Sequence, residues 1–432
     1  MVFHIIVENF GKVEYADIAL TNLVVLVGNN NSGKTMIMQL IYGIRNELMN
    51  MSVPTEGVEQ SSLGEQALIR CGRKWFTEVE AYVNRYLADN KMQIMQKIFG
   101  VPVDVETIKI SLENDNSLYY VCSASETVSG NVENPQNMIE LDILRYDGTE
   151  EPREYTKNID VKEYREDEIR EIVQSVWTIM LSGNEALNEK QLFLPASRAG
   201  LQMLYRYYFA GDTKGNLVLP VRDFLKFLQL YAQDTQLDDA RRTLVEFGEE
   251  FLLKGRIIQK GEETFFTEGQ NGRIVPLYVA SSMIHELTPF IKALNSTQQI
   301  GWLFCDEVEN SLHPLLQREM ARWVIRMVNE GMNVVISSHS DTMASRLNNL
   351  LMLTFLGNEK VSYSMLKELE LTQADMLKQG IRVSVYEFHT GKQGRTAVDK
   401  LDFIDYPLMG YDFKLFGKNL DKLYDEAERI TR

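Results

Sequence analysis

Gly28-Asn29-Asn30-Asn31-Ser32-Gly33-Lys34-Thr35 fits the pattern GxxxxGK[ST] in the setting that pattern requires, between a strand and a helix. Leu23 to Val27 reads as a short buried strand running into Gly28. Lys34 to Asn50 follows a helical period, with Ile37, Leu40, Ile41 and Ile44 on one side. Small residues in such a loop let successive backbone N–H groups turn inward around phosphate oxygens, and the helix N-terminus adds positive potential. Asn29, Asn30, Asn31, Ser32 and Gly33 would therefore line the phosphates. Lys34 is placed to neutralise charge on the β- and γ-phosphates, and the Thr35 hydroxyl to ligate Mg²⁺.

Two further strand ends complete this chemistry. Leu303-Phe304-Cys305-Asp306-Glu307 is an apolar strand closed by two acids. The first, Asp306, is positioned to hold Mg²⁺ through water. The second, Glu307, is positioned to orient or deprotonate an attacking water. Val334-Val335-Ile336-Ser337-Ser338-His339-Ser340 is a second buried strand ending in polar residues. His339 follows Glu307 by about one crossover helix with its turns, which puts both at the carboxyl edge of adjacent strands. In that position His339 would sense the γ-phosphate.

Asp306-Glu307-Val308-Glu309-Asn310-Ser311-Leu312-His313-Pro314, followed by Ser337 to Ser340, resembles the ATP-binding-cassette (ABC) class of ATPase. More narrowly it is similar to the branch containing RecF, the structural-maintenance-of-chromosomes (SMC) heads and the overcoming-lysogenization-defect (OLD) ATPases. Ile6-Val7-Glu8-Asn9-Phe10-Gly11 also resembles the opening of that branch, and the likeness extends from Leu277 to Leu350. The resemblance implies ATP and Mg²⁺ as cofactors, ATP hydrolysis, and a homo-oligomer of at least two chains meeting head to tail across ATP. It also implies that Ser281 and Ser282, with Glu286, form the signature that binds the γ-phosphate held by the opposite subunit. Met283 stands where that signature usually has a Gly, and the same residues also read as an ordinary helix cap. Leu192 to Arg198 resembles a strand-to-loop segment of the OLD-like branch. There Arg198 either faces the nucleotide or the dimer seam, or makes a structural ion pair. Tyr15 either stacks on adenine or packs in the core.

Composition narrows the setting. The chain has 432 residues, 44% of them apolar and 25% charged, as expected of a globular protein with a sizeable core. No apolar run approaches the ~20 residues that span a bilayer. The opening MVFHIIVENFGK does not read as a signal peptide. Cys71, Cys122 and Cys305 lie far apart without a CxxC pair, so neither a disulfide framework nor a zinc ribbon is expected. A cytoplasmic protein without membrane contact fits these features. Net charge is −16, and residues 101–190 hold 20 acidic against 8 basic residues. That stretch reads as a solvated face or a dock for a basic partner, and net charge does not indicate DNA binding there.

The expected fold is α/β: a P-loop ABC-type ATPase head with a mostly parallel sheet, an antiparallel β-lobe and a largely helical insertion. Residues 1–50 and 268–390 would form the nucleotide-binding core, 51–267 the insertion, and 391–432 a C-terminal tail. Glu65 to Phe99 and Val161 to Leu181 read as helices. Val103 to Cys122 and Met138 to Tyr146 alternate like antiparallel strands, and Val221 to Leu253 reads as one or two helices. After Leu350 there is no acidic constellation of the kind OLD nucleases carry. The resemblance is then to the stand-alone ATPases of Septu-type and PARIS-type anti-phage systems, which implies a separate effector, a nuclease or toxin, and a phage-derived trigger. The alternative is a RecF-type repair ATPase using a basic groove from the Arg70 to Lys97 helix with Arg241, Arg242, Lys254 and Arg256.

Overall fold

A computed structural model describes residues 2–63, 66–113, 117–129, 136–148, 151–160, 168–182, 190–210, 216–261, 263–269, 272–357, 360–391, 393–405, 409–415 and 429. Its frame is a nine-stranded sheet in the order Lys190–Leu194, Ile300–Cys305, Asn333–Ser338, Leu23–Gly28, Val383–Thr390, Thr396–Leu401, Val13–Leu20, Val2–Phe10 and Thr107–Glu113. The first five strands run parallel. Thr396–Leu401 turns back antiparallel on Val383–Thr390 yet lies parallel to Val13–Leu20, and the remaining pairs are antiparallel. This is the mostly parallel α/β arrangement expected from the sequence.

The strands that carry the motifs sit in the middle. Every residue of Leu23–Gly28 and of Asn333–Ser338 is buried, because parallel strands are covered on both faces. Alternation divides the side chains between two cores: Val24 and Leu26 pack into one, and Leu23, Val25 and Val27 into the other. Helices Lys34–Met49, Pro314–Asn329 and Asp341–Leu356 cover these faces. Each begins just beyond the carboxyl end of a motif strand, so loops and helix N-termini gather at one edge.

Around this frame lie a five-stranded antiparallel sheet (Glu59–Leu63, Gln66–Cys71, Tyr119–Ser129, Gln136–Tyr146 and Arg153–Asp160) and a three-stranded one (Gly255–Lys260, Glu263–Glu268 and Ile274–Pro276). Of the acidic residues in 101–190, Glu126, Glu140, Asp142, Glu154 and Asp160 fall on strands of the five-stranded sheet. The segment 51–267 is not spatially separate from the core, since Thr107–Glu113 and Lys190–Leu194 are strands of the central sheet. Thr396–Leu401, beyond residue 390, is another.

Several local expectations change. Glu65 to Phe99 is not one helix: Gln66–Cys71 is a strand paired with Glu59–Leu63 and Tyr119–Ser129, and the helix spans Arg73–Phe99. Cross-strand pairing outweighs the weak helix preference of Ala67, Leu68 and Arg70. Val103 to Cys122 divides between two sheets. Val221 to Leu253 becomes helices Leu219–Gln229 and Asp239–Phe247 followed by a π-helical turn, Gly248–Leu253. Of the expected helix Val161 to Leu181, residues 161–167 lie outside the described residues, and Glu168–Ser182 is helical. Part of the expected tail, residues 392, 406–408, 416–428 and 430–432, also lies outside them.

Helix Arg73–Phe99 closes the edge of the sheet at Thr107–Glu113. Asn84 Nδ2 donates to the Ile110 carbonyl at 3.0 Å, and the Ile110 N–H donates to Asn84 Oδ1 at 2.7 Å. The Leu112 N–H donates to Glu80 Oε2 at 2.8 Å. Side chains thus satisfy an edge that would otherwise offer a template for pairing. Asn84→Ala is expected to cost about 1–3 kcal/mol, because it strands a backbone donor and acceptor together. Chemical denaturation checks this, and an unchanged midpoint would show that water replaces the amide without loss.

Candidate functional site

At the carboxyl edge the glycine-rich loop is shaped by backbone that few residues tolerate. Gly28 has φ 151°, and a Cβ there would stand 2.7 Å from the Phe388 carbonyl oxygen. Gly33, the N-cap of helix Lys34–Met49, has φ 95°, and Asn31 has φ 60°. Lys34 is buried, and its Nζ donates to the carbonyls of Gly28 at 2.7 Å and Asn29 at 2.8 Å and to Ser32 Oγ at 3.3 Å. The ammonium therefore lies in the concavity of the loop. Burial lowers its pKa, while the charges of Asp306, Glu307 and Glu309 oppose the shift.

The two distant motifs meet at Thr35. Its Oγ1 donates toward Asp306, 2.8 Å from Oδ2 and 3.0 Å from Oδ1. Ser337 Oγ donates to Asp306 Oδ1 at 2.6 Å and accepts the Glu307 N–H at 2.9 Å. Three neighbouring strands thus converge on one carboxylate. Glu307 follows with φ 48°, in the left-handed region. Its carboxylate is more open than that of Asp306, which is 3% exposed, and lies 3.9 Å from His339 Nδ1. Glu309, 4% exposed, accepts the His339 N–H at 2.8 Å and lies 3.2 Å from the same Nδ1. Ser340 Oγ donates to Gln317 Oε1 at 2.5 Å and caps helix Asp341–Leu356.

The structure therefore brings together Asn29 to Thr35, Asp306, Glu307 and His339. Ser281 and Ser282 are exposed. Ser281 occupies the N-cap position of helix Ser282–Leu294 but makes no side-chain cap hydrogen bond, so it does not behave as an ordinary cap. Glu286 is buried against Arg198, with Nε 2.8 Å from Glu286 Oε2, which selects the structural ion pair among the alternatives for Arg198. Tyr15 is 48% exposed rather than packed in the core. Ser337 and Glu309 were legible only as neighbours of motif residues. What gives them a place is pairing of strands, which no spacing rule shows.

The donor set suits a hard cation bound together with phosphate. Thr35 and Asp306 offer oxygen only, and Mg²⁺ commonly takes one or two protein oxygens and completes its shell with phosphate and water. No group of three or more His, Cys, Asp or Glu that could hold a metal by itself occurs among the described residues. None of the described helices is long and apolar enough to cross a membrane.

Gly28 is the residue on which loop geometry is least negotiable. Gly28→Ala is expected to destabilise the fold by more than about 1 kcal/mol, since the native φ and the Phe388 backbone both reject a Cβ. The denaturation midpoint checks this, and a variant as stable as the wild type would mean that the loop can adopt another shape.

Among solved structures the chain is similar to the SMC head domain from Thermotoga maritima, with 9% identity and a TM-score of 0.35 over 93% of this chain and 99% of that one. An SMC head bound to the C-terminal winged-helix domain of ScpA matches with 10% identity and a TM-score of 0.37, over 93% and 97%. An SMC head with extended coiled coil from Pyrococcus furiosus, bound to the C-terminal domain of ScpA, matches with 9% identity and a TM-score of 0.36, over 100% and 99%. No curated protein matches in sequence. The family model described as "AAA domain, putative AbiEii toxin, Type IV TA system" matches residues 23–344. That span includes the phosphate loop, both acids and His339, and the chain belongs to this AAA-domain family of ATPases.

Proposed function

We propose that this chain hydrolyses ATP with Mg²⁺ in two composite sites, each shared between two copies, and that the cycle controls a separate effector in prokaryotic anti-phage defence. The observation that carries the enzymatic part is the contact of Thr35 with Asp306 at 2.8–3.0 Å, which joins the segments carrying Lys34 and Glu307 where a nucleotide would bind. Bound ATP with Mg²⁺ would supply a γ-phosphoryl group polarised for attack by water. Lys34 would exchange its loop carbonyls for phosphate oxygens, and Thr35 and Asp306 would hold the cation side. Glu307 would accept the proton of the attacking water, and His339, fixed through its backbone to Glu309, would face the γ-phosphate.

The exposed start of helix Ser282–Leu294 supports the part shared between copies. Its first N–H groups are not used by Ser281, and Ile274, Tyr278 and Val279 nearby are 47%, 73% and 59% exposed. A second copy presenting its nucleotide here would bind phosphate oxygens at a helix N-terminus and cover these side chains. Closure on ATP and release after hydrolysis would make the nucleotide a two-state signal for an effector. The family description, which names a toxin, supports a defence role of this class, and we assign docking of the effector or its trigger to the acidic residues within 101–190.

Binding to duplex DNA finds less support. Of the cations that would line a basic groove, Arg70 is near Glu59, Lys97 is paired with Glu47, Arg241 with Asp234 and Asp238, Arg242 with Asp239, and Arg256 with Glu249. Each pair leaves less charge to displace counterions from a phosphate backbone.

Glu307→Gln is expected to bind ATP, to turn over at least about 10²-fold more slowly and to accumulate as an assembled oligomer. Lys34→Ala is expected to lose nucleotide binding. Phosphate release with size-exclusion chromatography reads both, and equal turnover in wild type and Glu307→Gln would remove Glu307 as the base. For the biological role, the product of a neighbouring gene should co-purify with the chain. Turnover stimulated by duplex DNA with a steep salt dependence would favour the repair role instead.

A further inference from the structure

Arg198 is 1% exposed, among the most completely buried large side chains, and lies on no motif the mechanism uses. It opens helix Arg198–Ala210, directly after the edge strand Lys190–Leu194. Its guanidinium reaches both residues of the catalytic turn. Nη1 donates to the Asp306 carbonyl at 3.0 Å and to the Glu307 carbonyl at 3.4 Å, and Nη2 to the Glu307 carbonyl at 3.3 Å. Nη1 also donates to the Pro195 carbonyl at 3.3 Å. On its other side, Nε donates to the Glu286 carbonyl at 3.2 Å and lies 2.8 Å from Glu286 Oε2.

Glu286 is 4% exposed in its side chain and sits one turn into the helix that begins at Ser282. Burial pushes its carboxyl pKa up, while the Arg198 charge and the Ala199 N–H pull it down and the nearby Glu307 charge adds to the rise. The Glu286 carboxylate, on the helix that begins at Ser282, thus feels both Arg198 and Glu307 of the catalytic turn. Glu307 meanwhile holds φ 48°, a conformation that strains a non-glycine residue and persists only where surroundings over-determine it.

We infer that Arg198 is a positioning residue: with Glu286 as its counter-ion, it clamps the Asp306–Glu307 turn of one nucleotide site to the helix whose N-terminus serves the other. The inference rests on the ATPase function proposed above and deepens it. In a head-to-tail pair, Glu307 acts on the nucleotide of its own phosphate loop, whereas Ser281 and Ser282 face the nucleotide of the partner. One buried guanidinium therefore ties the general base at one site to the phosphate clamp of the second. A shift of the helix on closure would be transmitted to the Glu307 backbone through hydrogen bonds already formed.

Structural and positioning roles separate by pairing two variants. Glu286→Gln keeps the size and removes the charge, and Arg198→Met with Glu286→Leu replaces the whole pair by apolar groups, an exchange that buried ion pairs often tolerate. For both we expect turnover to fall at least about tenfold, with the ATP KM and the affinity for a fluorescent non-hydrolysable ATP analogue within about threefold of wild type. The double variant should melt near the wild-type temperature. Wild-type turnover within about twofold in the folded double variant would overturn the positioning role. So would a loss of turnover matched by an equal loss of analogue binding. Lys34→Ala is the control for the underlying function: wild-type turnover that does not depend on Lys34 would remove that function and this inference with it. Lys34-dependent turnover left unchanged by both variants would remove this inference alone.

Discussion

The contact of Thr35 with Asp306 is the constraint on which the site depends. The two residues are 271 positions apart, and the strands that lead to them, Leu23–Gly28 and Ile300–Cys305, are not neighbours, because Asn333–Ser338 lies between them. They meet only because three parallel strands end level with one another, and the middle strand adds Ser337 to the same carboxylate. Asp306 therefore receives hydroxyl donors from two segments while its own strand fixes its backbone. A one-residue slip in any of the three registers would turn these polar ends into the cores and break the convergence.

Strain collects around that contact. Gly28, Asn31, Gly33, Glu307 and Ser311 all take positive φ within the loops of this edge. Nothing in a rigid α/β sheet demands such turns, and each has to be held. Phe388 packs over Gly28, Ser337 accepts the Glu307 N–H, and Arg198 binds the Asp306 and Glu307 carbonyls from below. Rigid strands and packed helices supply the frame, and the strained turns present the chemistry.

Much of this was legible in the sequence, because phosphate binding imposes local patterns. The glycine-rich loop, the acids after an apolar strand and the serine-histidine ending of a second strand announce themselves by spacing, and the parallel sheet follows from strand-helix alternation. What spacing could not reveal is lateral order. Leu192 to Leu194 reads as a short strand closed by Pro195, and nothing local says that it belongs to Lys190–Leu194, which pairs with Ile300–Cys305 and delivers Arg198 to the Glu307 carbonyl. Gln66–Cys71 reads as helix because its side chains favour one, and only the strands beside it decide otherwise. Ser337 and Glu309 acquire their places in the same way, from neighbours distant in the chain.

The central claim is that Lys34 and Glu307 of one copy and the Ser281–Ser282 helix start of another converge on one triphosphate. A structure determined with Mg²⁺ and a non-hydrolysable ATP analogue tests it directly. We expect two copies related head to tail, with each γ-phosphate within hydrogen-bond reach of Lys34 from one chain and of the helix Ser282–Leu294 N-terminus from the other. A single copy with the analogue bound away from Lys34, or a pair that leaves Ser281 and Ser282 facing solvent, would contradict the account.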